Sequence, residues 1–207
     1  MDTLQKEKYK QITRRDHYDT LWKNIQLLLE NNFTVKLNVV LIKGFNDSEI
    51  IDFINLTKTL NIQIRFIEFM PFNGNQWDKS KLVTYAEILE KVDNHFEENT
   101  ILRMEDKLND TARNHKIESF KGSFSVISSV TNPFCGTCNR IRLTADGKLK
   151  PCLLSNQEID LKHKLRDGST DEEISLILES TISMKPEKHN LDDDFFFADR
   201  GMSKIGG

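Results

Sequence analysis

Apolar residues recur three and four positions apart between His17 and Asn31, where Leu21, Ile25, Leu28 and Leu29 share one face. That spacing predicts an amphipathic helix over 17–31. Thr34–Gly44 then runs apolar and β-branched between Asn and Gly, which predicts a buried strand. Asn46, Asp47 or Ser48 can cap a following helix that ends at Leu60. Ile62–Phe72 is a second apolar strand, stopped by Pro71 and Gly74, and a further helix spans about Thr84 to Phe96. Helices alternating with strands indicate βα units and a parallel sheet.

Beyond Asn99 the pattern changes. "HKIESF" and "SFSVISSV" flank Lys121-Gly122 and predict a hairpin, and "NRIRLT" and "KLKPCLL" flank Ala145–Lys148 and predict another. Residues 157–180 read as helical, with Asp171, Glu172 and Glu173 favouring a helix start. The expected organisation is α/β over 1–75 and a smaller α+β region over 76–207, with the change of character falling within 73–100. Two parallel strands with their helices cannot close a barrel. The α/β part is therefore a small open sheet, or the chain is a piece of something longer.

A chain of 207 residues can bury a sizeable core without disulfides. Net charge is only −3, which argues against general nucleic-acid or membrane-surface binding, so any basic site must be local. No apolar run approaches a membrane span, and "MDTLQKEKYKQITRRD" has no apolar signal region. With an odd number of cysteines, a reducing cytoplasm is the expected compartment.

All three cysteines fall between 135 and 152. Cys135 and Cys138 form C-x2-C, a chelating spacing, and Cys152 returns on the far side of the second hairpin, opposite roughly Ile141. Thiolates select zinc, copper(I) or iron–sulfur clusters. Both structural zinc and iron–sulfur clusters usually take four ligands. The spacing leaves zinc and iron–sulfur equally open, and His163 is the available fourth ligand for zinc. Arg140 and Arg142, and Lys148 and Lys150, alternate as on one strand face. Such a basic face suits phosphates or carboxylates; the plainer interpretation is a solvated face over a core face.

The string "FCGTCNRIRLTADGKLKPCL" resembles the C-terminal cluster motif of the molybdenum cofactor biosynthesis protein A family, the radical-SAM GTP 3',8-cyclases. "VKLNVVLIKGFND", "RFIEFMPF", the opening "DTLQKEKYKQITRRD" and the tail "GMSKIGG" are similar to that family in the same order. The resemblance implies the last βα units of an incomplete TIM-type barrel over 1–75, followed by an auxiliary-cluster domain. It implies two [4Fe-4S] clusters in the whole enzyme. The first binds S-adenosylmethionine on a C-x3-C-x2-C motif, and the second binds GTP through an open iron. The product is 3',8-cyclo-7,8-dihydro-GTP, a molybdenum cofactor precursor.

By that resemblance Cys135, Cys138 and Cys152 hold the second cluster, and Arg140 and Arg142 lie near the substrate. Lys36 and Arg65 match basic residues of the GTP channel, Met70 a position beside the adenine of S-adenosylmethionine, and Gly206 and Gly207 a double glycine that reaches the active site. Taken alone, Lys36 reads as a surface lysine, Arg65 as an ion-pair partner and the terminal glycines as an ordinary tail. The resemblance also implies a homodimer, with cyclic pyranopterin monophosphate synthase acting next, and neither nucleic acid nor membrane as partner. The C-x3-C-x2-C motif is absent from the 207 residues. The chain thus reads as a C-terminal portion that binds and orients GTP rather than generating the radical. Two other readings stand beside it: a zinc-stabilised, non-catalytic binding module, and an auxiliary-cluster domain of another radical-SAM maturase.

Overall fold

In the computed structural model, which describes residues 1–96, 100–188 and 200–205, the chain divides into two units. The first comprises Met1–Phe69 and Lys79–Asn132; the second comprises Met70–Asp78 and Pro133–Gly207.

The first unit opens with helices α1 (Lys6–Thr13) and α2 (Tyr18–Glu30), then strand β1 (Val35–Leu41). A 3-10 turn at Asp47–Glu49 leads into α3 (Ile50–Thr59), followed by β2 (Ile62–Glu68), α4 (Tyr85–His95), β3 (Ile101–Arg103), β4 (Arg113–Ile117) and β5 (Ser123–Ile127). The sheet order is β1-β2-β5-β4-β3. Strand β2 pairs in parallel with β1 on one edge and with β5 on the other; β4 is antiparallel to both β5 and β3. The helices expected over 17–31, to Leu60 and over 84–96 are all present. The last of these starts with a full capping box, Thr84 and Glu87 bonding each other's backbone. Helix α1 and strand β3 carry no strong periodicity and were not expected.

The hairpin expected around Lys121-Gly122 is β4–β5, and it belongs to this first sheet rather than to the cysteine-bearing region. Parallel pairing of β5 with β2 is the reason, and it draws residues 79–132 into the first unit. The turn lies tightly against the start of β2. Gly122 N–H donates to the Thr57 carbonyl at 2.8 Å, and a Cβ at Gly122 would stand 2.2 Å from the Ile62 carbonyl oxygen. Only glycine fits such a backbone approach.

Strand β1 is not buried on both faces, as its apolar run suggested. Burial alternates along it: Val35, Leu37, Val39 and Leu41 are buried, while Lys36 and Asn38 are exposed. The buried face joins Ile62, Ile64 and Phe66 of β2, Phe124 and Val126 of β5, and Phe53, Ile54 and Val92 of the helices in one core. Phe53 meets Phe66 edge-on at 6.3 Å, a favoured aromatic geometry. The other face carries Lys36, Asn38, Gln63, Arg65, Ser123 and Ser125.

Two buried carboxylates fasten loops to this sheet. Glu49 accepts from Thr3 Oγ1 at 2.8 Å, Leu4 N–H at 2.7 Å and Lys8 Nζ at 3.0 Å, pinning the first residues of the chain. Glu68, wholly buried at the end of β2, accepts from Val130 N–H at 2.7 Å, Thr131 N–H at 2.9 Å, the Thr131 hydroxyl and Tyr85 N–H at 3.3 Å.

The second unit is built around a three-stranded antiparallel sheet, β6 (Arg142–Leu143), β7 (Lys148–Lys150) and β8 (Ile159–Asp160), in that order. Helices α5 (Leu161–Arg166) and α6 (Asp171–Ser183) follow, so the span expected to be one helix over 157–180 is a short strand and two helices. Thr170 and Glu173 form a second capping box at the start of α6. Gly168, at φ 87°, turns the chain between the helices. No helix among the described residues is long and apolar enough to cross a membrane.

His115 on β4 is buried, stacks on Phe124 at 5.2 Å and has its Nε2 3.1 Å from the Tyr85 hydroxyl. Burial first, then the Arg103 charge, pushes its pKa down to about 4. The unfolded chain binds this proton near pH 6.5, the folded chain only near pH 4. Between those values the unfolded state holds more protons, so stability rises with pH and is lost as pH falls from 6.5 towards 4. His115→Gln removes the titrating group and keeps a polar side chain. Thermal melts from pH 7 to 4 are expected to show a shallower loss of stability in this variant than in the parent chain.

Candidate functional site

Phe134 and the 3-10 turn Cys135–Thr137 begin the cysteine stretch. Thr137 N–H donates to the Phe134 carbonyl at 3.2 Å and Cys138 N–H to the Cys135 carbonyl at 3.1 Å, so C-x2-C is one closed turn. Both cysteines and Cys152 are half-buried and in no disulfide. The next hairpin pairs Arg142 with Lys150 and Leu143 with Leu149. Continued by two positions, that register sets Cys152 level with Arg140 rather than with Ile141.

The hairpin turn is fixed by side chains. Thr144 Oγ1 donates to Asp146 Oδ1 at 2.5 Å and accepts from Lys148 N–H at 2.9 Å, while Gly147 N–H donates to the Thr144 carbonyl at 2.9 Å. Gly147 has φ 88°, and its carbonyl accepts from Lys162 N–H at 2.9 Å, which ties the turn to α5.

The uniform basic face expected from alternation is not formed. Strand β6 begins at Arg142, so Arg140 lies outside it and is exposed. Arg142 is half-buried at the strand. Lys148 and Lys150 both turn to one carboxylate, each with Nζ 3.4 Å from Glu158. Lys150 is 1% exposed, a lysine that burial permits only because Glu158 meets it. Arg200 completes the network. Its guanidinium forks onto Asp146 at 2.9 and 3.0 Å and reaches Glu158 at 2.7 Å. Burial pushes the Glu158 carboxyl up, but Arg200 and Lys150 outweigh it and hold it below its ordinary range. Arg200, then Thr144, holds Asp146 far below its own. Of the four cations read as one basic face, the two lysines are thus already committed.

A further cation reaches the cysteine turn itself. Lys185, just past α6, donates to the carbonyls of Cys138 and Arg140, each at 2.7 Å, and stands 3.4 Å from Cys138 Sγ. Glu158, Arg200 and Lys185 were not singled out from the sequence. Lone charges in irregular segments carry no local signal, and only the fold brings them to the hairpin.

His163, the fourth ligand considered for zinc, is an exposed residue of α5 whose backbone N–H is capped by Asp160 at 2.9 Å. Among the described residues no three His, Cys, Asp or Glu side chains converge on a point as they would on one metal ion. Met70 is half-buried and packs with Phe72, Leu153, Leu154, Met202 and the wholly buried Ile205. Gly206 and Gly207 lie outside the described residues.

In the first unit Lys36 and Arg65 share the polar sheet face. The register sets Lys36 beside Gln63 and Asn38 beside Arg65, so the two cations are diagonal neighbours. Arg65 is also level with Ser125, whose buried Oγ has no hydrogen-bond partner among the described residues.

Fold and site together define a mixed α/β chain with a parallel-containing sheet and a separate, thiol-bearing antiparallel unit rich in cations. The chain matches the family described as Molybdenum Cofactor Synthesis C over residues 62–191, and it belongs to that family. It is 43% identical over 209 residues to the mitochondrial GTP 3',8-cyclase of Arabidopsis thaliana, covering all of this chain and 53% of that protein. It is 42% identical over 189 residues to the molybdenum cofactor biosynthesis protein moc-5 of Caenorhabditis elegans, covering 91% of this chain and 31% of the relative. Against the GTP 3',8-cyclase of Alkaliphilus oremlandii it is 41% identical over 210 residues, covering all of this chain and 63% of that protein. The chain thus spans only part of the length of these relatives.

Two glycines, one in the loop after β1 and one in the hairpin turn, test how tightly the hairpin is built. Gly44 and Gly147 both have positive φ, but a Cβ at Gly44 meets nothing within 4 Å, whereas one at Gly147 would stand 2.4 Å from Lys162 Cβ. Gly44→Ala is expected to cost about 1–2 kcal/mol, the left-handed penalty alone. Gly147→Ala adds a steric cost of about 1–3 kcal/mol. Urea unfolding of the two variants checks the order.

Proposed function

We propose that this chain acts in molybdenum cofactor biosynthesis as the GTP-holding portion of a GTP 3',8-cyclase. Its first unit corresponds to the last βα units of an incomplete radical-SAM barrel, and its second to the auxiliary-cluster domain. The observation that carries the reading is the second unit's set of three half-buried cysteines, none in a disulfide, on one short hairpin stretch, with cations around it, in a chain of this family.

The donor set fits a [4Fe-4S] cluster held by Cys135, Cys138 and Cys152. Zinc needs its ligands to converge on one ion, whereas a cluster takes each thiolate on a different iron, so three thiols on a turn and on the bend just past the returning strand suffice. With three protein ligands such a cluster leaves one iron for a substrate atom. That is the chemistry it supplies: a soft contact for the guanine of GTP. The remaining steps of the reading belong to side chains. Arg140, exposed and without an ion pair among the described residues, and Arg142 are assigned to anionic oxygens, where a guanidinium fork matches phosphate. Fixing the nucleotide at both ends is an orientation effect, a large contribution to catalysis in itself.

For the first unit the same reading assigns Lys36 and Arg65 to anionic ligand groups. They are cations on a polar sheet face with the Ser125 hydroxyl, unpartnered among the described residues, in register. Met70 is assigned to the S-adenosylmethionine side and Gly206 and Gly207 to the active site. A homodimer in a reducing cytoplasm, with cyclic pyranopterin monophosphate synthase consuming the product, completes the proposal.

Anaerobic reconstitution of the 207-residue chain with iron and sulfide tests it. Bound iron and sulfide with a brown chromophore are expected. Cys→Ser at any of the three positions should abolish both the chromophore and GTP binding, and His163→Ala should leave both intact. One bound zinc lost on His163→Ala would instead establish the binding-module reading. Arg140→Ala and Arg142→Ala are each expected to weaken GTP binding about tenfold or more, the loss of one charge-assisted contact of roughly 1.5–3 kcal/mol. Unchanged affinity in both, measured calorimetrically, would remove the arginines from the site.

The three cysteines are all assigned to one cluster, which leaves none for a second. The reconstituted chain on its own is therefore expected to yield no 5'-deoxyadenosine from S-adenosylmethionine and dithionite above a no-protein control, as read by chromatography.

A further inference from the structure

Lys185 is bound in a way that a surface lysine is not. Its ammonium has three donors, and three acceptors meet it: the Cys138 carbonyl at 2.7 Å, the Arg140 carbonyl at 2.7 Å and Cys138 Sγ at 3.4 Å. The side chain is half-buried, and no carboxylate pairs with it among the described residues. An ammonium drawn partly out of water needs acceptors in place of water, and a carboxylate is the strongest of them. Here two carbonyl dipoles and a sulfur take that place, and all of them belong to Cys138–Arg140. The complement missing from this set is a negative charge on the sulfur, which Cys138 supplies when it is a thiolate ligand.

We infer that Lys185 is a positioning residue that clamps the Cys138–Arg140 segment and raises the reduction potential of an iron–sulfur cluster bound through Cys138. The inference rests on the cluster reading given above. Reduction adds one negative charge to a cluster, and a cation donating to a ligand sulfur stabilises the reduced form more than the oxidised one. The same contact fixes both carbonyls that flank Asn139. The backbone entering Arg140 is therefore held from the same atom that touches the thiolate. Contact with the cluster ligand and orientation of the neighbouring arginine thus depend on one side chain, reached from the far end of α6.

The test compares the 207-residue chain with Lys185→Met, Lys185→Gln and Lys185→Arg after anaerobic reconstitution. Iron and sulfide are quantified, and the reduction midpoint is taken from a dithionite titration followed by electron paramagnetic resonance. Met removes charge and donors, Gln keeps donors without charge, and Arg keeps both. The expected result is a shift of the reduction equilibrium by about tenfold towards the oxidised form in Met and Gln, ~59 mV for one electron, with Arg close to the parent. A merely structural lysine would not move the midpoint of a fully loaded cluster, so unchanged midpoints in both loaded variants overturn the inference. If the Met variant does not load, the Gln variant decides. Loss of the cluster in both, with retention in Arg, supports the charged clamp; loss in all three overturns it. Failure of the parent chain to take up iron and sulfide is a separate outcome. It overturns the cluster reading itself, and this inference with it.

Discussion

Strand β2 is hydrogen-bonded along both edges, and the first unit is organised by what that requires. A central strand must satisfy every backbone group through its neighbours, and in β2 the two faces differ. Ile62, Ile64 and Phe66 face the helices and are nearly or wholly buried; Gln63 and Arg65 face the other way. The alternation passes through the register to β1 and β5. Leu37 and Phe124 fall level with Ile64 on the core side, and Asn38 and Ser125 with Arg65 on the polar side. One strand thereby determines which residues form the core and which form a surface able to meet a polar ligand. The strand also ends in Glu68, whose buried carboxylate gathers four donors from Tyr85 and the 130–131 turn. Breaking such a set leaves several desolvated N–H groups, each worth about 1–3 kcal/mol.

The second unit works with little apolar material. Its only cluster of buried hydrophobics among the described residues is Phe72 with Ile205, supported by partly buried neighbours, and α6 buries Thr181 alone. Charge pairs take over part of the work of a core. Glu158 receives Lys148, Lys150 and Arg200, and Arg200 also forks onto Asp146, so residues far apart in sequence close around the hairpin. Exposed pairs of this type contribute little. Lys150 differs because it is buried, and removing Glu158 would strand its charge, a loss of about 3–5 kcal/mol.

What was legible in the sequence follows from this contrast. Helices α2, α3 and α4 and strands β1 and β2 announce themselves because their partners are a contiguous core, and burial imposes a period that can be counted. The hairpins are marked by Lys121-Gly122 and by Asp146-Gly147, where backbone geometry selects the residue. The assignment of the β4–β5 hairpin to the first sheet was not legible, since nothing in "SFSVI" records that its neighbour is β2. The cysteines were evident from spacing. The fate of the charges around them was not: alternation suggests that Lys148 and Lys150 point one way, but not that Glu158 waits there. Ion pairs have no period, and a partner such as Lys185 can come from any part of the chain that the fold brings near.

That difference bears on how a site of this sort is assembled. Cations that sit beside thiols are free for a ligand only if the protein has not already spent them. In the second unit Lys148, Lys150 and Arg200 are spent on Glu158 and Asp146, and their role is to hold the hairpin closed. Lys185 is spent on the cysteine turn. Arg140 stands outside the strand, exposed, with its carbonyl fixed by Lys185 and its guanidinium in no ion pair among the described residues. The backbone of this arginine is thus anchored while its charge is left available. A guanidinium held in that way loses less freedom on meeting a phosphate than one on an unanchored loop, and the saving appears as affinity. On the proposed reading, the committed cations serve the site indirectly, by making rigid the segment from which an uncommitted one projects.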